Sequence, residues 1–493
     1  MSALALAGLL ALGALPPSAV SDTTHTYAVI VASNTAPETS LQPLRYADDD
    51  GARFFELFST LSDDVRLLSV LDADSQKTYP ALAETAQPPT KKALRSTLEE
   101  VFHKISADSK AGIRTVLYFV YVGHGSVGDD GEGVMHFLDG AFSRSDLFHD
   151  VISKSPAAVN HVIIDACNAY LMVARRGGDD SVKAAVTQFL DRESLARYPN
   201  TGVLLSTSQA TEVHEWARFE AGVFSHEVRS GAIGAADVDG DGSISYDEIR
   251  AFISAANARV SDPKAKLQAF AVPPALNRSE PFFRPGEARR GAQLTVPAGL
   301  QGRWHLQDAR GIRYADFNAG APVKLLLTPS PMYFLRNDDS EVRIPLEGVT
   351  SADASLLQKS SIALASRGAE VLTFQRDLFA VPFGSGYFEG FRDALPTGGG
   401  VELVRAEPRA VPVRTIVGLS MAGVGAGILA TGIGFGLASA AQAKDARTHI
   451  GSTEDVAALG TTSTTFATTA NVMYAVGGGL LLSGAAIWLW PSD

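Results

Sequence analysis

Among the 493 residues there is one cysteine, Cys167, so any thiolate chemistry in this chain belongs to that position. It stands in Asp165-Ala166-Cys167-Asn168, directly after the apolar run His161-Val162-Ile163-Ile164. A thiol at a strand end that leads into a helix meets backbone N–H groups, and these favour the thiolate. The histidine best placed to act as its base is His124. It follows the β-branched and aromatic run Arg114–Tyr121 and is flanked by Gly123 and Gly125. Those glycines leave the backbone open to a close-lying substrate. A Cys–His pair of this kind attacks a carbonyl through sulfur, with the imidazole taking the proton and returning it to the leaving group. The other reading of a lone cysteine is a small buried apolar residue. His136, His149, His161, His214 and His226 have no nucleophile beside them in sequence and are read as solvated or packing residues.

A second constellation spans residues 237–248. Asp237, Asp239 and Asp241 offer carboxylates at alternate positions, and Gly242 permits a sharp turn. Ser243 would give its carbonyl, Ser245 would coordinate directly or through water, and Glu248 would close the site with both oxygens. Ile244 would pack inward. This is the twelve-residue spacing of an EF-hand calcium loop. Ca2+ is therefore the implied cofactor, structural or regulatory; the Cys–His chemistry itself needs none. The alternative is an acidic surface loop.

Both constellations need elements to hold them. Tyr27–Ser33, Val65–Leu71, Arg114–Tyr121, 161–164 and 202–206 read as short buried strands. They alternate with helical patterns around 50–58 and after Thr90, where Leu94, Leu98, Val101, Phe102 and Ile105 share a face. The fold class is α/β, a mostly parallel sheet with helices on both faces, and active residues in such sheets gather beyond the carboxyl ends of strands. From 285 to 405 short apolar segments separated by Pro, Gly and Asn-Asp turns predict a small β-rich domain without a helix, and 272–286 reads as a Pro-rich linker.

Hydrophobic residues make up 46% of the chain, with a mean hydropathy of +0.07. The excess lies at the ends. Residues 1–21 form an apolar leader or signal peptide. Residues 415–443 and 468–490 are long and apolar enough for two transmembrane helices forming a hairpin, with Gly423/Gly427 and Gly432/Gly436 as close-approach pairs. The net charge of −12 and pI near 5.4 exclude a nucleic-acid partner on charge grounds and suit basic or neutral peptide substrates.

From about Tyr27 to Val260, within an expected peptidase domain at 25–265, the chain resembles the caspase and metacaspase superfamily. Gly123-His124-Gly125 after an apolar strand is similar to the family's histidine motif, Asp165-Ala166-Cys167 to the bacterial form of its cysteine motif, and 206–215 to the opening of its small-subunit half. The resemblance implies a caspase-like fold and a cysteine endopeptidase acting on proteins or peptides after Arg or Lys. It implies that Gly125 and Cys167 supply the oxyanion N–H groups. It further implies that Asp165, with Asp50 as a second candidate, holds the basic side chain. Arg175 and Arg176, in a Gly- and Asp-rich segment, become candidates for self-cleavage. Bacterial relatives often carry a calcium loop at the place of 237–248. With the leader and the hairpin, the expected setting is a membrane-anchored, exported cell-envelope protein with a periplasmic catalytic domain. One departure stands out: Asn168-Ala169-Tyr170 replaces the family's usual His-Ser-Gly. It keeps a second possibility open, a catalytically silent, calcium-binding scaffold at a membrane.

Overall fold

The computed structural model describes residues 23–37, 41–166, 169, 195–206, 215–216, 219–261, 267, 269–300, 302–361, 377–394, 413–448 and 453–489. The leader 1–21, Cys167, Arg175, Arg176, His214 and Gly423 as a packing position lie outside the described residues or side chains. The chain divides into two compact units, Met1–Gly399 and Gly400–Asp493.

The first unit is built on a six-stranded sheet. Its strands are β1 (Thr24–Ser33), β2 (Asp64–Leu68), β3 (Arg114–Gly123), β7 (Val159–Asp165), β8 (Thr201–Ser206) and β11 (Ala269–Val272). Between β3 and β7 lies a three-stranded antiparallel sheet of β4 (Gly125–Val127), β5 (Gly133–Phe137) and β6 (Gly140–Ser143). A small ribbon pairs β9 (Glu215–Trp216) with β10 (Ala221–Gly222). The order in the large sheet is β11-β8-β7-β3-β1-β2, all parallel except β11, which closes one edge antiparallel to β8.

Because side chains alternate along a strand, each apolar run feeds two cores. Ile30, Tyr118, Val120, Ile163 and Leu204 enter one, and Val29, Phe119, Tyr121, Ile164 and Leu205 enter the other. Among the described residues the helices of eight residues or more are α1 (Ala47–Ser59), α2 (Lys91–Lys110), α3 (Val223–Ser230), α4 (Tyr246–Ala256), α5 (Ser385–Ala394), α6 (Val413–Thr448) and α7 (Thr453–Leu489). Thr90 caps α2, its hydroxyl oxygen accepting Ala93 N–H at 3.1 Å. Leu94, Leu98, Val101 and Ile105 of α2 are all buried, each contributing on the order of 1.5–3 kcal/mol. Phe54, Leu57 and Phe58 of α1, with α3 and α4, cover the opposite face.

The β-rich part contains two sheets. One has the order β15 (Val323–Leu327), β12 (Ala292–Val296), β18 (Ser351–Asp353). The other has the order β14 (Arg313–Ala319), β13 (Gly302–Asp308), β16 (Met332–Arg336), β17 (Ser340–Pro345), β19 (Lys359–Ser361). The same core that covers one face of the large sheet continues into this part through Leu294, Trp304, Phe317 and Leu325. The segment expected as a linker is packed instead. Phe282 and Phe283 are 1% exposed, and Ile244 exchanges backbone hydrogen bonds with Phe283 at 2.7 and 3.2 Å. Its aromatics outweigh its prolines. The helix α5 was also not expected: Gly386 and Gly390 dilute its signal, and packing of Tyr387, Phe388 and Phe391 on the core holds it in place of propensity.

The second unit is an antiparallel hairpin of α6 and α7, joined by reciprocal bonds in which each Ser439 and Ser463 hydroxyl donates to the other's carbonyl, at 2.8 and 3.0 Å. Its stretches Gly425–Asp445 and Ala458–Ser483 are long and apolar enough to cross a membrane. Gly432 and Gly436 do pack closely, against Tyr474. The other close approach is made by Gly425 against Gly477; Gly427 faces open space.

Candidate functional site

The ends of β3 and β7 bring the first constellation together. These strands pair in parallel with Val122 opposite Asp165, so His124 and Ala166 leave the same end of neighbouring strands. Ala166, the residue before Cys167, is 3% exposed. His124 is 9% exposed, and its Nε2 is buried without a hydrogen-bond partner among the described residues. Burial lowers the His124 pKa, the nearby His136 adds to this, and a hydrogen bond with the Gln42 backbone opposes it. The ring is therefore biased to the neutral form a base requires. Its backbone is fixed by Tyr121, whose hydroxyl lies 2.8 Å from the His124 carbonyl and accepts His136 N–H at 3.0 Å. His136 N–H also donates to the His124 carbonyl at 3.1 Å. Gly125 opens β4, paired with Met135.

Asp165 and Asp50 meet around one glycine. A Cβ on Gly222 would lie 3.0 Å from Asp165 Oδ2 and 3.1 Å from Asp50 Oδ2, so no side chain is admissible between them without displacement. Asp50 sits in the first turn of α1, where an ordinary helix-start aspartate would be solvated, yet it is fully buried. It accepts Gly222 N–H at 2.6 Å and pairs with Arg229 at 2.7 Å. Asp165 accepts Ser225 N–H at 3.1 Å and the Ser225 hydroxyl at 2.6 Å. Burial pushes Asp165 up to about 7; the Ser225 hydrogen bonds oppose the shift and the Asp50 charge adds to it. Burial also raises Asp50, against the pull of Arg229 and Arg53. Glu215 completes this corner: its carboxylate accepts the N–H groups of Arg45 and Tyr46 at 2.7–2.9 Å and anchors the start of α1.

The acidic loop turns tightly at its glycines. Gly240 and Gly242 have φ of +78° and +81°, the left-handed turns that a Cβ would strain. Ile244 is fully buried. Asp237 accepts Gly240 N–H at 2.7 Å and Gly242 N–H at 3.1 Å, while Asp241 accepts Ser243 N–H at 2.7 Å. Glu248 closes the loop, accepting Val238 N–H at 3.1 Å and both Ser245 donors at 2.7–2.8 Å. Asp237, Asp239 and Glu248 offer carboxylate oxygens within 4.8 Å of one another, a cluster that could hold a metal ion. Burial raises Asp237 and Glu248, the neighbouring aspartates adding to the shift. That excess of converging negative charge is what a cation would relieve.

Three of the other described histidines have side-chain partners of their own. His136 Nε2 lies 2.8 Å from Ser126 Oγ, His161 Nδ1 lies 2.6 Å from the Tyr246 hydroxyl, and His226 Nε2 lies 2.9 Å from Asp316 Oδ2. His149 is exposed beside Asp150. Arg229, Ser225 and Gly222 carried no sequence signal, since nothing local marks a residue that contacts a strand end some 60 positions away or a helix start some 170 away.

No family model matches the sequence, and no curated protein matches it. Among solved structures the chain is similar to caspase-1 of Spodoptera frugiperda, at 12% identity and a TM-score of 0.31, covering 51% of this chain and 89% of that one. It is also similar to a structural-genomics target from Geobacter sulfurreducens, at 17% identity and a TM-score of 0.33, covering 53% of this chain and 99% of that one.

Proposed function

We propose that this chain is a caspase-like cysteine endopeptidase that cleaves after Arg or Lys, binds one calcium ion at 237–248 and is anchored to a membrane by its C-terminal hairpin. The observation that carries the reading is the pairing of β3 with β7. It sets His124, biased to the neutral form and with no Nε2 partner among the described residues, at the strand end next to the one that leads into Cys167. In the reaction Cys167 Sγ attacks the scissile carbonyl carbon and its proton passes to His124. The oxyanion is held by the N–H groups of Gly125 and Cys167, and His124 protonates the departing amine. Water then cleaves the thioester and returns the thiol.

Because Asp50 already faces Arg229, Asp165 is the carboxylate that receives the substrate's basic group, and Asp50 supports it. Three carboxylates converging on one point in a loop of calcium-binding spacing support the ion. Two apolar helices support the anchor, and the apolar leader supports an exported chain with a periplasmic catalytic part. The test is alkylation of Cys167 between pH 5 and 9 in the wild type and His124→Ala. Rapid alkylation well below pH 8 that is lost in His124→Ala supports the pair. An inert Cys167 in the folded chain overturns the reading and favours the silent scaffold.

A further inference from the structure

The helix α3 has two working faces. Gly222 at its start, Ser225 and Arg229 hold Asp50 and Asp165, as described above. His226 and Ser230, on the adjacent face, are held by β14 of the β-rich part. Asp316 Oδ2 takes the His226 Nε2 contact at 2.9 Å, and Asp316 N–H donates to Ser230 Oγ at 3.0 Å. The Ser230 hydroxyl in turn donates to the His226 carbonyl at 2.7 Å. Asp316 is fully buried and is gripped by Arg313, whose Nε donates to it at 2.6 Å. The Arg313 guanidinium lies over the Phe219 ring, which stacks on His226 with centroids 3.9 Å apart. Phe219 is itself tied to α1, because its carbonyl accepts Arg53 Nη1 at 2.9 Å.

Burial lowers the His226 pKa to about 4 despite Asp316, so the ring is neutral and donates through Nε2. Asp316 stays ionised: Arg313 holds it well below its ordinary value against the cost of burial. A buried carboxylate with this many donors fixes the helix in rotation and along its axis, since any slip would strand a charge.

We propose that the β-rich part positions the substrate-reading carboxylates, and that Asp316 is the positioning residue through which it does so. Asp316 touches no substrate. It sets α3, and α3 sets the Asp165–Ser225 and Asp50–Arg229 contacts. This rests on the reading of Asp165 as the group that receives the substrate's basic side chain.

The experiment measures kcat/KM of the full chain in detergent micelles on two peptides that differ only in Arg or Gln before the scissile bond. Wild type, Asp165→Asn, Asp316→Asn and Ser230→Ala are compared. The Arg-over-Gln ratio should fall about tenfold in Asp316→Asn and about threefold in Ser230→Ala, both through KM. Loss of folded enzyme lowers both peptides alike and does not move the ratio, and if Asp316→Asn fails to fold, Ser230→Ala decides. A ratio that collapses in Asp165→Asn but holds in Asp316→Asn and Ser230→Ala overturns the positioning role and leaves the substrate reading standing. A ratio unchanged in Asp165→Asn overturns the substrate reading itself.

Discussion

Replacing Asp165 by Asn removes one buried charge and almost nothing else. The amide oxygen can still accept both Ser225 donors, now at 3.1 and 2.6 Å from the carboxylate. What changes is titration. The folded chain lifts Asp165 from 3.8 to about 7, a difference equivalent to about 4 kcal/mol between its two protonation states. A carboxyl whose folded pKa is raised is bound more tightly by protons in the native state. Its contribution is thus fully present below the unfolded value near 3.8 and falls away as pH rises toward 7. Between pH 5.5 and pH 8 the wild type should lose roughly 2 kcal/mol from this group alone, a loss that Asp165→Asn does not share. Urea unfolding of both proteins in the same detergent at the two pH values reads the difference as a midpoint gap that widens in favour of the variant at pH 8. In the wild type, kcat/KM on an Arg peptide should rise through pH 7 as the carboxylate forms, and the variant should lose that rise with its preference for Arg. Parallel unfolding curves at both pH values would refute the buried-charge argument, and an unchanged preference would refute Asp165 as the reader of the basic side chain.

Calcium should bind the full chain at one site and raise its melting temperature, by an amount that grows with calcium concentration. Glu248→Gln should abolish both the heat of binding and the melting shift; no response at millimolar calcium in the wild type would remove the site. Because Asp237 and Glu248 are raised above their ordinary values, calcium must displace protons from them at acid pH. Affinity should therefore climb as pH rises above the ordinary carboxylate range, and a flat profile would contradict the assigned ligands.

The strand ends and the acidic loop could be read from the sequence because each is local. The apolar run into Gly123-His124-Gly125 marks β3, the run into Asp165 marks β7, and the turn glycines of 237–248 sit at fixed offsets from their carboxylates. The surroundings of Asp165 could not be read this way. Its partner Ser225, and Arg229 that faces the neighbouring Asp50, lie on a helix whose buried faces look like ordinary core, and that helix packs on β14, far along the chain. The same holds for Tyr121: its aromatic ring fits an apolar strand, and nothing local says that its hydroxyl would bind the His124 carbonyl. The packed segment around Phe282 and Phe283 was masked by prolines, whose turn signal is local, whereas the pairing with Ile244 that overrides it is not.

The most direct test of the Cys–His peptidase is cleavage of an Arg-containing peptide library by the purified full chain, beside Cys167→Ala and His124→Ala. The account predicts cleavage by the wild type and a drop of about a thousandfold or more in kcat/KM for either variant, with melting temperatures unchanged. Near wild-type cleavage by Cys167→Ala would contradict it.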